Sequence, residues 1–165
     1  MFVVDTNILV YAADADSPYH ERCLERIDAW RSGADAWFLT WEIVYEFLRI
    51  TTHPKVMRKP WTAAAAWRFV SILLDSPGLS LLVPTERHPD VVGQVLAEIP
   101  DLGGNLVHDA HVAVLMREHG IRRVYTRDVD FHRFPFLEPV DPVGVALHEA
   151  APRTRARRPA RRSRS

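Results

Sequence analysis

Short apolar runs alternate with amphipathic stretches along most of the chain. Phe2-Val3-Val4 is an apolar run that ends at Asp5; polar Thr6-Asn7 and then Ile8-Leu9-Val10-Tyr11 follow, a pattern of strand, turn and helix start. Ser17 and Pro18 predict the N-cap and first turn of a helix running to about Trp30. Trp37 to Thr40 reads as a second buried strand, leading into a helix from about Glu42 to Thr51 that His53-Pro54 terminates. Thr62 can cap a helix in which Ala66, Phe69, Val70 and Leu73 share one face, and Pro77-Gly78 breaks it. Leu79 to Val83 predicts a third strand. Helices follow at about Pro89–Ile99 and Leu106–His119, the second ended by Gly120. Arg123 to Thr126 predicts a fourth strand and Val143 to Leu147 a short last one. Strands alternating with helices predict an α/β fold with a parallel sheet.

Composition narrows this little, but charge does more. At 165 residues, 47% hydrophobic and 25% charged, the chain has the profile of one ordinary globular domain. No apolar run approaches the ~18 residues of a membrane helix. The N-terminus lacks the basic region of a signal peptide, and the lone Cys23 suits a reducing cytoplasm. The net charge of zero divides unevenly. Seven arginines (Arg153, Arg155, Arg157, Arg158, Arg161, Arg162 and Arg164) and no acid occupy the last thirteen residues. The remainder carries 14 basic against 21 acidic residues, a body near −7. Residues 149–165 therefore read as a disordered tail, either a solvated extension or a phosphate-binding arm, appended to a domain spanning 1–148.

Several acids fall where ligands bind in such folds. In an open α/β sheet the site lies beyond the carboxyl ends of the strands, where Asp5 follows strand one and Asp128 lies just past strand four. On the helix from Leu106, His108, His111, Glu118 and His119 project onto one arc, read as the wet face, while Asp109 projects onto the apolar side between Ala113 and Met116. A carboxylate there must be paired, capping or metal-bound. On the helix from Glu42, Ile43, Phe47 and Ile50 form the predicted buried stripe, with Val44 and Leu48 extending it on one side. Glu46 borders it, and Glu42 is expected to cap the helix or meet solvent. If Asp5, Glu46, Asp109 and Asp128 converge, their repulsion calls for raised pKa values or a cation. All-oxygen donors suit Mg²⁺ or Mn²⁺, which points to phosphoryl chemistry on a phosphate ester, nucleic acid first.

The ordered motifs Val4-Asp5-Thr6-Asn7, Glu46-Phe47, Asp109-Ala110-His111 and Thr126-Arg127-Asp128-Val129-Asp130-Phe131 resemble the PIN domain, and more narrowly the VapC-type toxins of bacterial toxin–antitoxin pairs. Gly104 to His111 and Arg133-Phe134-Pro135 agree with one VapC subgroup, and the resemblance spans about residues 1 to 142. It implies a three-layer α/β/α sandwich with a short parallel sheet, and a Mg²⁺-dependent endoribonuclease with Mn²⁺ as a substitute. It also implies an RNA substrate, a cognate VapB-like antitoxin, a homodimer and a cytoplasmic location. Residue by residue, it makes Asp5, Glu46, Asp109 and Asp128 the catalytic quartet, with Asp5, Asp109, Asp128 and Asp130 around the metal. Thr6, Asn7 and Thr126 then support the site. A non-toxin PIN nuclease or RNA-binding module is the alternative within the family. A haloacid-dehalogenase-like phosphatase expects a second aspartate where Asn7 stands, and a lysine at a strand end where this chain has only Lys55 and Lys59.

Overall fold

A computed structural model describes residues 1–144. The seven tail arginines and positions 145–147 lie outside the described residues. Five strands form one parallel sheet in the order β3-β2-β1-β4-β5, with β1 at Phe2–Val4, β2 at Trp37–Thr40, β3 at Leu79–Leu82, β4 at Arg123–Tyr125 and β5 at Glu138–Val140. Between them run α1 (Thr6–Ala13), α2 (His20–Ser32), α3 (Trp41–Thr51), α4 (Ala63–Leu74), α5 (His88–Glu98) and α6 (Leu106–Glu118), and a 3-10 helix covers Val129–Arg133.

The central strand explains why the sheet is parallel and covered on both faces. All three residues of β1 are buried, as a strand sandwiched between two helical layers requires. Helices α1 to α4 pack on one another and α5 packs on α6. Right-handed crossovers place these two groups on opposite faces of the sheet. The result is the expected three-layer sandwich. Trp37, Leu39, Ile8, Leu9, Phe47, Val124 and Phe131 are fully buried in a core that continues through both layers. Gly120, with φ +68°, ends α6 in the left-handed conformation that glycine adopts without steric cost.

Four local expectations change. No turn separates β1 from α1, because Asp5 is itself the N-cap and the helix begins at Thr6. The second helix begins at His20, since Ser17 caps a turn instead: its Oγ accepts from the Tyr19 N–H and its carbonyl from the His20 N–H. On α3 the buried stripe is Ile43, Val44, Phe47 and Thr51, while Ile50 is only half-buried and faces a cleft. Among the described residues the last strand is Glu138-Pro139-Val140, and Val143, where a strand was expected to start, lies in a turn. Glu138 donates to the Arg122 carbonyl and Val140 accepts from the Thr126 N–H, so the nitrogen of the intervening Pro139 lies on the free edge, where no donor is needed.

Chain direction changes between β1 and β4: β1 leads to β2 on one side, while β4 flanks β1 on the other. That reversal opens a crevice at the carboxyl ends of these two strands.

Candidate active site

The crevice is a cleft of about 890 Å³ lined by Asp5, Glu46, Asp109, Asp128 and Asp130, with Thr6 and Asn7 at its base. Each carboxylate arrives on a different piece of local structure. Asp5 caps α1, and its Oδ1 accepts from the Thr6 N–H at 2.6 Å. Its Oδ2 accepts from Asn7 Nδ2 at 2.5 Å and from Thr126 Oγ1 at 2.6 Å. Thr126, buried at the end of β4, also accepts from the Asp128 N–H at 2.8 Å, so one hydroxyl ties the ends of β1 and β4 together. Asp128 in turn caps the 3-10 helix, its Oδ1 accepting from the Asp130 N–H at 2.9 Å. Glu46 reaches in from α3 and accepts from Thr6 Oγ1 at 3.2 Å, with Arg49 on its other oxygen at 3.3 Å. Asp109 lies in the first turn of α6, half-buried, its neighbours Ala113 and Met116 in the core.

All of the sequence-derived candidates among the described residues therefore meet. The tightest group is Asp109, Asp128 and Asp130, whose oxygens lie within 4.8 Å of one another; Asp5 and Glu46 stand beside it. Burial pushes the Asp5 carboxyl up to about 7, against the hydrogen bond from Thr126, and Asp128 and Glu46 add to the rise. Asp109 also rises to about 7, through desolvation first and then repulsion from Asp5, Asp128, Asp130 and Glu46. Crowded acids with this much unrelieved repulsion, offering only hard oxygen donors, fit a hard divalent cation such as Mg²⁺ or Mn²⁺.

The histidines depart from expectation. His108 and His111 are not idle surface residues: both Nδ1 atoms meet the Glu42 carboxylate, His108 at 2.7 Å on Oε1 and His111 on Oε2. Glu42 neither caps α3 nor stands in open solvent, because Thr40 Oγ1 provides the cap and the two imidazoles cover the carboxylate. Glu118 also leaves the wet face. Its side chain is fully enclosed, held by the Thr85 N–H and hydroxyl and by His88. Their spacing put His108 and His111 on one helical face, read as the wet one, and nothing local identified the partner they share. Asn105, Tyr45 and Arg49, which also line the cleft, carried no sequence signal of their own.

Residues 2–137 match the PIN domain. The chain belongs to the PIN-domain family. Ribonuclease VapC37 of Mycobacterium tuberculosis is 36% identical over 134 residues, covering 81% of this chain and 92% of that protein. Ribonuclease VapC48 of the same species is 28% identical over 138 residues, or 84% and 94% of the two chains. Among solved structures, M. tuberculosis VapC20, described as a sarcin-ricin loop cleaving toxin, superposes with a TM-score of 0.57 at 21% identity over 80% of this chain and 93% of its own. VapBC2 from Rickettsia felis, bound to a fragment of promoter DNA, gives 0.60 at 15% identity over 84% and 96%. At these identities the two structures speak for the fold. Asp5, Glu46, Asp109, Asp128 and Asp130 all line one cleft, and the phosphatase alternative fails on its lysines. Lys59 lies at the surface near Asp16, away from the cleft, and Asn7 is bonded to Asp5 and Thr126.

Proposed function

We propose that this PIN domain is a metal-dependent endoribonuclease and the toxic member of a type II toxin–antitoxin pair. The observation that carries the reading is the meeting of Asp109, Asp128 and Asp130 within 4.8 Å, beside Asp5 and Glu46, in a cleft open to a polymer. The trio, with Asp5 alongside, would hold Mg²⁺ or Mn²⁺, which supplies activation of water and neutralises charge on the departing oxygen. The chain's own residues do the rest. Three donors hold the Asp5 carboxylate in one orientation. Thr126 keeps Asp5 and the Asp128 loop in register. Glu46, half-buried and oriented by Thr6 and Arg49, is the acid best placed to take a proton from the attacking water.

The cleft is also a natural target for a VapB-like antitoxin. An arginine fork can pair bidentately with carboxylates that would otherwise hold the metal, blocking ion and RNA together. None of the described helices is long and apolar enough to cross a membrane. In the decisive experiment, purified protein is incubated with RNA in Mg²⁺ or Mn²⁺ and again with excess EDTA. Cleavage is expected only with metal, and Asp5→Asn is expected to abolish it. Equal cleavage in both conditions would overturn the metal assignment. Induced expression in a bacterial host should arrest growth for the wild type and not for Asp5→Asn, and co-expression of a cognate VapB-like antitoxin should lift the arrest.

A further inference from the structure

Helix α3 leaves two aromatic rings in water, and one of them, Tyr45, lines the acidic cleft. Trp41 and Tyr45 are one turn apart, their ring centroids separated by 6.2 Å and their planes inclined at 41°. Tyr45 is 68% exposed and Trp41 43%. Tyr45 lines the cleft on the same face of α3 as Glu42, Glu46 and Arg49, as their spacing of three and four residues requires. The chain thus keeps a large, nearly bare ring within one helical turn of the carboxylates. Its neighbours on that face are charged, so the rings do not form a closed apolar groove. A flat apolar surface framed by polar groups matches a nucleobase, which has an apolar face and polar edges, better than it matches an aliphatic side chain.

Charge adds to the case. Outside the C-terminal arginines the chain has 14 basic and 21 acidic residues, and the cleft itself is acidic. Phosphate attraction from the folded body is weak, and affinity for RNA must come largely from contacts that need no counterion release. Stacking is such a contact. It is indifferent to base identity, but it needs a base free of its helix.

We propose that Trp41 and Tyr45 form a base-stacking platform that seats unpaired nucleotides beside the scissile phosphate. The proposal rests on the ribonuclease reading above. Arg49, exposed one turn beyond Tyr45, meets the phosphate of the seated strand on the same face.

The test uses a short single-stranded oligoribonucleotide with 2-aminopurine next to its cleavage site, and the same strand annealed to its complement. For the wild type, cleavage of the single strand is expected to exceed that of the duplex, and binding in Ca²⁺ is expected to quench the 2-aminopurine. Tyr45→Ala is expected to raise KM about 10-fold with kcat nearly kept, to lose the quench and to narrow the preference for the single strand. Tyr45→Phe should restore all three, because it keeps the ring. The KM ratio between variant and wild type should be the same at low and high salt, since stacking releases no ions. Both positions are exposed, so thermal melting should be unchanged, which verifies the fold. An unchanged KM and quench in Tyr45→Ala would overturn the platform and leave these rings to a protein partner. A ratio that collapses with salt would overturn it too, by making the effect electrostatic. Wild-type protein inert towards RNA in Mg²⁺ and Mn²⁺ would sink the ribonuclease reading, while the quench in Ca²⁺ would still decide the platform.

Discussion

Asp109 concentrates the cost of this site in one side chain. Its carboxyl, ordinarily at 3.8, is pushed to about 7 by burial and by four neighbouring acids. Between those values the folded protein holds more protons than the unfolded chain, so metal-free stability falls as pH rises from about 4 to about 7 and stays low above it. Asp5 acts in the same direction over the same window. Asp109→Asn removes the charge at similar volume, and Asp109 is the cleaner choice because Asp5 also accepts three hydrogen bonds that an amide cannot all replace. The variant is expected to melt higher than wild type at pH 8 without metal, by about 2–4 °C for each kcal/mol of repulsion relieved. It is expected to match wild type near pH 4 and to cleave no RNA. Melting curves across pH in EDTA check this; a variant that melts lower at pH 8 would place the repulsion elsewhere.

Helices α3 and α6 bring the two walls of the cleft together, and the Glu42 carboxylate ties them through His108 and His111. His108 directly precedes Asp109 and His111 lies two residues beyond it, so the tie sets where the first turn of α6 presents its ligand. Supports of this kind commonly change metal affinity more than stability. Glu42→Gln is therefore expected to weaken Mn²⁺ binding, measured by calorimetry, by about 10-fold, with little change in melting temperature. Glu46→Gln should leave Mn²⁺ binding closer to wild type and still abolish cleavage. If Glu42→Gln binds Mn²⁺ like wild type, the bridge merely decorates the rim. On the far side of α6, the enclosed Glu118 with His88 and Thr85 fastens that helix to α5 and the preceding loop, which leaves the Glu42 tie as the adjustable end.

The charge of the whole chain is divided between an acidic body and seven arginines after Ala151. Reading residues 1–148 as the nuclease domain and 149–165 as its arm, we expect truncation after Ala151 to leave the melting temperature unchanged and to weaken RNA binding at low salt. Every phosphate that the arm neutralises should add about 0.7 to the slope of log affinity against log salt for single strands, and truncation should remove that share. Titrations of both forms from low to moderate salt measure it, and identical slopes would make the arm a solvated extension. Stacking at Tyr45 and ion pairing by the arm separate in this experiment, because only the second depends on salt.

The hydrophobic pattern alone placed Asp5 at the end of β1, Asp128 just past β4 and Asp109 on the inward side of α6. Side-chain direction repeats every 2 residues in a strand and every 3.6 in a helix, and needs no knowledge of what stands opposite. A parallel sheet then sends all its carboxyl ends to one edge, so the acids' convergence was also legible. Their grouping was not. That Asp109, Asp128 and Asp130 form the tight trio follows from how α6 packs against the 3-10 helix beyond the end of β4. That Asp5 is braced by Thr126 follows from the strand order, a pairing that spans more than a hundred residues. The partner of His108 and His111 was hidden for the same reason, since Glu42 is 66 and 69 residues away. Strand β5 was missed because its three residues include Pro139, tolerated only because an edge strand has one side with no ladder to complete. Local chemistry decides which way a side chain points; only the packed fold decides what it meets there.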